Sequence, residues 1–167
     1  MGVICSYMIE VRVTQKMLID ARKKAEEMGR INKSILSGGG NLAGFVGEFI
    51  AQKVLGGEIC NTFDWDLVLE NGKKVDVKSK QTSVKPKDYY ECSVSAFSRK
   101  QNCDIYAFVR VKNDLTVGWF LGSKESSTYF KEASLLKKGE KNGDNGFIVR
   151  ADCYNMKISQ LDLDQNN

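Results

Sequence analysis

Asp66 and, after nine intervening residues, Asp76-Val77-Lys78 are the residues in this chain whose types and spacing could do chemistry together. The chain contains no histidine, which excludes Ser-His-Asp and Cys-His catalysis, histidine-ligated metals and histidine general bases. Any hydrolytic chemistry must therefore come from carboxylates, lysine and a hard metal ion. The spacing alone is weak evidence, because 28% of the residues are charged.

The dipeptide Asn71-Gly72, between two extended segments, predicts a β-hairpin that carries these residues. A two-residue turn would place Leu67 opposite Asp76 and would put a carboxylate on the apolar face. A three-residue loop, Glu70-Asn71-Gly72 with a left-handed glycine, places Asp66 opposite Asp76 instead. We therefore predict the three-residue loop.

This register separates the two faces of the hairpin by polarity. Opposed aspartates repel each other unless a cation lies between them, so the arrangement favours a cation site. A hairpin with one solvated charged face is the alternative, but such a face would pair Asp with Lys at lower cost. The apolar face would contain Trp65, Leu67, Leu69, Val75 and Val77 with Lys73 at its edge, and the polar face Asp64, Asp66, Val68, Lys74, Asp76 and Lys78.

On these residues the chain resembles the PD-(D/E)XK superfamily of restriction-endonuclease-like nucleases. Asp66 matches the lone aspartate of the motif, and Asp76-Val77-Lys78 matches its D/E-x-K element. The resemblance extends to Gly47-Glu48 on an upstream helix and, less specifically, through 93–111, so that it covers roughly 41–111. No proline precedes Asp66, which is common variation in the superfamily, and Asp64 competes as the metal aspartate.

The resemblance implies Mg²⁺-dependent hydrolysis of phosphodiester bonds in DNA, with Mn²⁺ able to substitute. Asp66, Asp76 and the backbone carbonyl of Val77 would be metal ligands. Lys78 would orient or help to deprotonate the attacking water and would offset developing negative charge. Glu48 would complete the metal shell through water or would hold a second ion.

A cationic and aromatic region follows the hairpin. A phosphate backbone would favour the lysines, and the tyrosines could stack on unpaired bases, although lysines on loops commonly serve only solubility. Gln81 and Gln101 are further candidates, since polar residues near this motif assist in some relatives. The region contains Lys80, Lys85, Lys87, Arg99 and Lys100, interleaved with Tyr89, Tyr90 and Phe97.

Two helices are expected before the hairpin. The first begins at the N-cap Thr14 and ends at Met28 before Gly29, and its charged residues 22–24 are interpreted as a solvated face or, alternatively, as a DNA-contacting arm. After a break at 37–40, Asn41 is expected to cap the second helix, 42–55, which ends at Gly56-Gly57. Its wide apolar stripe favours an inward-facing Glu48 over an exposed one.

The expected fold class is α/β, with a restriction-endonuclease-like core in which helices flank a central mixed sheet in the order αβββαβ. We expect a single nuclease domain with an N-terminal helical extension at 1–40, a catalytic core at 41–111, and C-terminal strands and a helix at 112–167. The remaining elements are a weak strand within 3–13, a short helix at 93–102, strands at 104–111 and 116–121, a helix at 126–137, a loop at 138–146 and one or two short strands within 147–158.

Bulk composition adds the expected setting. Five scattered cysteines indicate buried thiols in a reducing compartment rather than disulfides or a zinc site. No apolar run is long enough to span a membrane, so we expect a cytoplasmic protein of a bacterium or a phage-infected cell. The net charge of +4 suits DNA but is too mild to require it.

Three readings of the function stay open. A structure-selective nuclease, such as a dimeric Holliday-junction resolvase, would form a homodimer, whereas an exonuclease would need free ends. A non-catalytic DNA-binding module would keep the fold without the reaction. Paired carboxylates argue against this last reading, since a DNA-binding surface gains nothing from them.

Overall fold

The computed structural model describes residues 8–32, 39–60, 62, 64–142 and 146–163. Two short 3₁₀ helices, Ala96–Lys100 and Ile158–Gln160, accompany the regular elements. The regular elements, in chain order, are β1 (Ile9–Arg12), α1 (Gln15–Asn32), α2 (Gly39–Leu55), β2 (Glu58–Ile59), β3 (Leu67–Val68), β4 (Lys74–Thr82), β5 (Glu91–Ser95), β6 (Ile105–Lys112), β7 (Val117–Glu125), α3 (Ser126–Glu132), β8 (Ser134–Leu136) and β9 (Cys153–Lys157).

The strands form two sheets. The larger sheet has the order β1-β7-β6-β4-β3-β2, in which β4 and β6 are parallel and the other neighbours are antiparallel. The smaller sheet is antiparallel, with the order β5-β9-β8. The predicted α/β class and the mixed central sheet are confirmed, whereas the second sheet was not predicted.

Helices cover one face of the larger sheet, and a helix with the second sheet covers the other. Alternation along β6 shows the division, because Ala107 and Val109 face α1 and α2 whereas Tyr106 and Phe108 face the opposite way. The first face forms a helix-side core, and the second packs against Tyr129 of α3 and residues of the smaller sheet. Strands β1 and β7, from outside 41–111, belong to the same sheet as β4.

Helix α2 lies unusually close to β4, and a glycine makes this possible. A Cβ atom at Gly47 would overlap the hydroxyl and Cβ of Ser79 on β4. The missing side chain therefore lets the helix backbone approach the strand. This close approach brings the next residue, Glu48, against the sheet, where it is buried.

The first two helices are longer than predicted. Thr14 is confirmed as the N-cap of α1, because its Oγ1 accepts the Met17 N–H at 3.1 Å. The expected end at Gly29 is wrong: α1 continues to Asn32, since an interior glycine costs a helix only about 1 kcal/mol. The expected N-cap Asn41 is also wrong, because α2 already begins at Gly39. Of the predicted break, 37–38 lie outside the described residues.

Two further helix predictions were wrong where a strand replaces part of the helix. The segment Glu91–Ser95 is β5, with Cys92 and Val94 buried on one face, and the chain is helical only afterwards, in the 3₁₀ turn at 96–100. Helix α3 ends at Glu132 rather than 137, and 134–136 pair with β9 instead. The predicted strands at 104–111 and 116–121 correspond to β6 and β7, and the one at 147–158 contains β9.

No helix in the described ranges is long and apolar enough to cross a membrane. Cys92 and Cys103 are buried free thiols, as predicted, whereas the free thiols Cys60 and Cys153 are half-buried. Cys5 lies outside the described residues.

Candidate active site

The hairpin between β3 and β4 has the predicted register. Leu67 pairs with Val75, and the N–H of Leu69 donates to the carbonyl of Lys73 at 2.9 Å. The loop is therefore Glu70-Asn71-Gly72, and Gly72 has the left-handed φ of 84° that this loop requires. Leu67, Leu69 and Val75 are buried in the helix-side core, as expected.

The regular pairing stops immediately before β3. The N–H of Asp66 donates to the carbonyl of Val75 at 2.8 Å, although the register partner of Val75 is Leu67. Two residues of one strand thus face one residue of the other, which is the pattern of a β-bulge. A bulge exchanges the faces to which the side chains before it point. The prediction for Trp65 is accordingly wrong, because its ring packs on the second-sheet side, with Lys74 Nζ 4.1 Å from the ring centroid.

The Asp66 carboxylate lies at the edge of β4 where β3 departs. Its Oδ2 accepts the N–H of Val77 at 2.8 Å, in the place of a strand carbonyl. The N–H and C=O of one strand residue point to the same edge, so the Val77 carbonyl is also directed to this side. The contact identifies Asp66, rather than Asp64, as the aspartate beside Asp76-Val77-Lys78.

Asp76 and Lys78 project from the face of β4 opposite to Val75 and Val77. The two side chains share contacts with one glutamine. Lys78 Nζ lies 2.8 Å from Asp76 Oδ2 and 3.4 Å from Gln101 Oε1, while Gln101 Nε2 donates to Asp76 Oδ1 at 3.3 Å. The hydroxyl of Tyr106 lies 3.5 Å from the same Gln101 Oε1. Gln101 is therefore the one of the two glutamine candidates that the structure brings to the site, whereas Gln81 is exposed further along β4.

Glu48 is ion-paired to a residue that sequence reasoning assigned elsewhere. Lys24 Nζ of α1 contacts Glu48 Oε2, and the two side chains are only 13% and 10% exposed. The predicted solvated face of α1 is therefore wrong at Lys24. A signal was present in the sequence, because Lys24 follows Ala21 by three residues and so lies on the apolar side of the helix.

The three carboxyl groups have raised pKa values because they are buried close together. Burial and the charge of Glu48 raise the pKa of Asp66 to about 7, against the opposing hydrogen bond from Val77. Burial raises the pKa of Asp76 to about 6; Lys78 opposes the shift and Asp66 adds to it. Burial also raises the pKa of Glu48, although Lys24 opposes it. Negative charge at this site is therefore costly without a cation.

The donor set fits a hard divalent cation. Asp76 Oδ2 is buried and is ion-paired with Lys78 at 2.8 Å. No three carboxylate or thiol side chains of the described residues are arranged as a ready metal cluster. Asp66, Asp76 and the Val77 carbonyl are the groups that suit a metal here.

The chain matches no model of a known protein family and no curated protein.

The predicted nucleic-acid-binding lysines are distributed unevenly around the site. Lys80 follows Lys78 on the same face of β4 and lines a cavity of about 640 Å³. Lys87 is exposed with its Nζ 5.8 Å from the ring centroid of Tyr89, another residue that lines this cavity. Lys85 and Lys100 are exposed and do not line it. Arg110, which sequence reasoning missed, lines the same cavity.

Proposed function

We propose that this protein is a Mg²⁺-dependent DNA nuclease with a restriction-endonuclease-like core. The observation that supports this most is the position of the Asp66 carboxylate on the open edge of β4, hydrogen-bonded to Val77 beside Asp76. A hairpin and a close-packed upstream helix with a buried glutamate surround the site, and the resemblance implies both of these elements. The helix that it also implies before β6 is replaced by β5 and a 3₁₀ turn.

Asp66, Asp76 and the Val77 carbonyl would hold the metal ion. When bound, Mg²⁺ supplies Lewis-acid stabilisation of the phosphate and lowers the pKa of a water ligand. Asp76 presents a buried oxygen whose ion pair with Lys78 a bound metal ion would replace. A metal ion bound to both aspartates would also relieve their mutual repulsion.

Lys78 would act on the water and on the phosphate. Its ammonium is fixed between Asp76 and Gln101, 27% exposed, and can donate to a water or a phosphate oxygen at the open side. A cation held in place stabilises developing negative charge without reorganisation during the reaction. Gln101 would orient Lys78 and Asp76 together, because it bonds to both.

Glu48 would act from behind Asp66. Glu48 is ion-paired with Lys24. After burial, the charge of Glu48 is the main cause of the raised pKa of Asp66. We expect Glu48 to reach the metal through a water or to hold a second ion only after Lys24 releases it.

A non-catalytic DNA-binding module is the weaker candidate. Buried aspartates with raised pKa values oppose both folding and the approach of phosphate, so a surface selected only for binding would not retain them. The buried pair instead suits a site whose charge is balanced by a cation.

The test is an incubation of the purified protein with linear, closed circular, single-stranded and four-way-junction DNA, in Mg²⁺, Mn²⁺ or chelator. We expect metal-dependent cleavage that Asp76→Asn abolishes and that the surface variant Asp20→Asn leaves unchanged. Cleavage that survives Asp76→Asn or the chelator would refute the proposed site.

The same panel separates the kinds of nuclease. Cleavage of closed circles indicates an endonuclease, and degradation restricted to linear DNA indicates an exonuclease. Paired symmetric cuts in the junction, together with a dimeric mass in solution, would identify a resolvase.

A further inference from the structure

The cavity next to the site is the feature that the proposed reaction leaves without a role. It has a volume of about 640 Å³ and lies between β4 and β6 of the larger sheet and β5 and β9 of the smaller one. This volume falls within the range of roughly 300–1,000 Å³ that is usual for small-molecule sites. A smaller pocket of about 410 Å³ is lined by Lys78 and shares Lys80, Ser93 and Arg110 with the cavity. The cavity is thus continuous with the Asp76–Lys78 side of the sheet.

The cavity carries an excess of positive charge, because Lys80, Arg110 and Arg150 line it and Glu91 is the one carboxylate among its described lining residues. Arg110 is 9% exposed, and its guanidinium donates to the backbone carbonyl of Glu91 at 2.8 Å. In the described part of the chain, no carboxylate lies within ion-pair distance of Arg110 or of Lys80. The Glu91 carboxylate offsets part of this charge, and its Oε2 accepts a hydrogen bond from Asn142 at 2.6 Å.

The two cations also disfavour each other. Burial lowers the pKa of Arg110. Partial desolvation lowers the pKa of Lys80, and the charge of Arg110 lowers it further. A bound anion between them would remove this cost, since opposite charge favours the ionised form of both groups. Phosphate is the anion that the neighbouring site would deliver.

Three aromatic rings also line the cavity. Tyr89 and Phe147 are 55% and 53% exposed, and Tyr90 contacts Tyr89 edge to face with 5.3 Å between the ring centroids. Single exposed aromatic rings are ordinary, but here three of them line one cavity together with Arg110 and Lys80. Aromatic faces beside cations are the arrangement that binds unpaired bases by stacking.

We propose that this cavity binds one unpaired nucleotide of the DNA strand that is being cut, with its phosphate at Lys80 and Arg110 and its base against Tyr89 and Phe147. The inference rests on the proposed nuclease function and names its preferred substrate. A base within a duplex does not present its face, so the enzyme should prefer single strands, flaps or frayed ends to continuous duplex.

Binding in chelator tests the cavity without any cleavage. The anisotropy of a labelled short oligothymidylate is titrated with the wild type, Lys80→Gln, Tyr89→Ala and the matched control Lys16→Gln, whose lysine is 85% exposed on α1. We expect Lys80→Gln and Tyr89→Ala each to weaken binding by roughly fivefold or more, the lower end for one stacked base. Lys16→Gln should change it little, and a duplex of the same sequence should respond less to Tyr89→Ala than the single strand does.

A photochemical crosslink locates the bound base. An oligothymidylate that carries 5-iodouracil should crosslink, on irradiation in chelator, to peptides that contain Tyr89, Tyr90 or Phe147. Crosslinks found only elsewhere, or equal losses of affinity in Lys80→Gln and Lys16→Gln, would overturn the proposal. Because neither measurement needs turnover, a protein that binds at the cavity but never cuts would refute the nuclease function alone. Cleavage without binding at the cavity would refute this inference alone.

Discussion

Replacing Asp76 by asparagine should stabilise the metal-free protein while abolishing its activity. The side chain is 8% exposed, and burial and the charge of Asp66 both raise the cost of its own charge, which the ion pair with Lys78 offsets only in part. Asparagine has nearly the same shape but carries no charge. The substitution therefore removes the repulsion without opening a void.

The magnitude follows from the pKa of Asp76, which rises from 3.8 to about 6 on folding. The folded state holds the Asp76 proton more tightly than the unfolded state does. The stabilisation that protonated Asp76 gives the folded state is therefore complete below about pH 4 and is lost as the pH rises to about 6. A shift of about two pKa units at ~1.4 kcal/mol each predicts that Asp76→Asn raises the free energy of unfolding by about 3 kcal/mol at about pH 8. At about pH 5 the expected gain is about half of that. Lys78 loses its partner in the variant, which offsets part of the gain.

Thermal unfolding in chelator measures this effect. At about pH 8 we expect Asp76→Asn to unfold a few degrees above the wild type, at about 2–4 °C per kcal/mol, and the difference should shrink at about pH 5. Added Mg²⁺ should raise the unfolding temperature of the wild type and not that of the variant. The control Asp20→Asn removes an exposed carboxylate paired with Lys16 and should change stability by less than about 1 kcal/mol. A variant that is less stable than the wild type at both pH values would refute the reasoning.

Three further predictions concern the residues that position the site. Lys24→Met should lower the free energy of unfolding, measured in urea, by roughly 3 kcal/mol, because it leaves the buried Glu48 carboxylate unpaired. Adding Glu48→Gln should restore most of this stability. A double variant as unstable as Lys24→Met alone would contradict this. Gly47→Ala should lower stability by about 1–3 kcal/mol and reduce activity, whereas Gly44→Ala on the same helix, where a Cβ meets nothing, should be neutral or stabilising. Similar losses from both alanines would exclude the packing explanation. Gln101→Ala should keep its stability but lose about 10–100-fold in cleavage rate, and an unchanged rate would remove it from the site.

The hairpin could be predicted because burial and strand alternation constrain it together. Leu67, Leu69 and Val75 can share one buried face only if the loop has an odd number of residues, and Gly72 supplies the left-handed position that such a loop needs. The same logic gave the inward-facing Glu48, because the wide apolar stripe of α2 left few exposed positions. Both predictions used information within a short stretch of sequence.

The second sheet could not be predicted because its pairing joins distant segments. Ser93 of β5 pairs with Asn155 of β9, so the strand character of 91–95 depends on a partner far along the chain. The residues that follow, 96–100, do form a helical turn, and extending that turn over β5 produced the error. Arg110 was missed for a related reason, since only the neighbouring smaller sheet turns its position on β6 into the wall of a cavity.

A local departure from alternation in the hairpin creates the proposed site. Had the hairpin stayed regular through Asp66 and Trp65, the backbone of β3 would have paired with β4 at Val77 and occupied its edge. The bulge at Asp66 ends that pairing, sends Trp65 to the opposite face and leaves the Val77 N–H to be satisfied by a carboxylate. A periodic pattern cannot reveal such a position, because the position exists where the period fails. The register predicted the right neighbours for Asp66, and the bulge, which the sequence does not signal, determines how its side chain meets them.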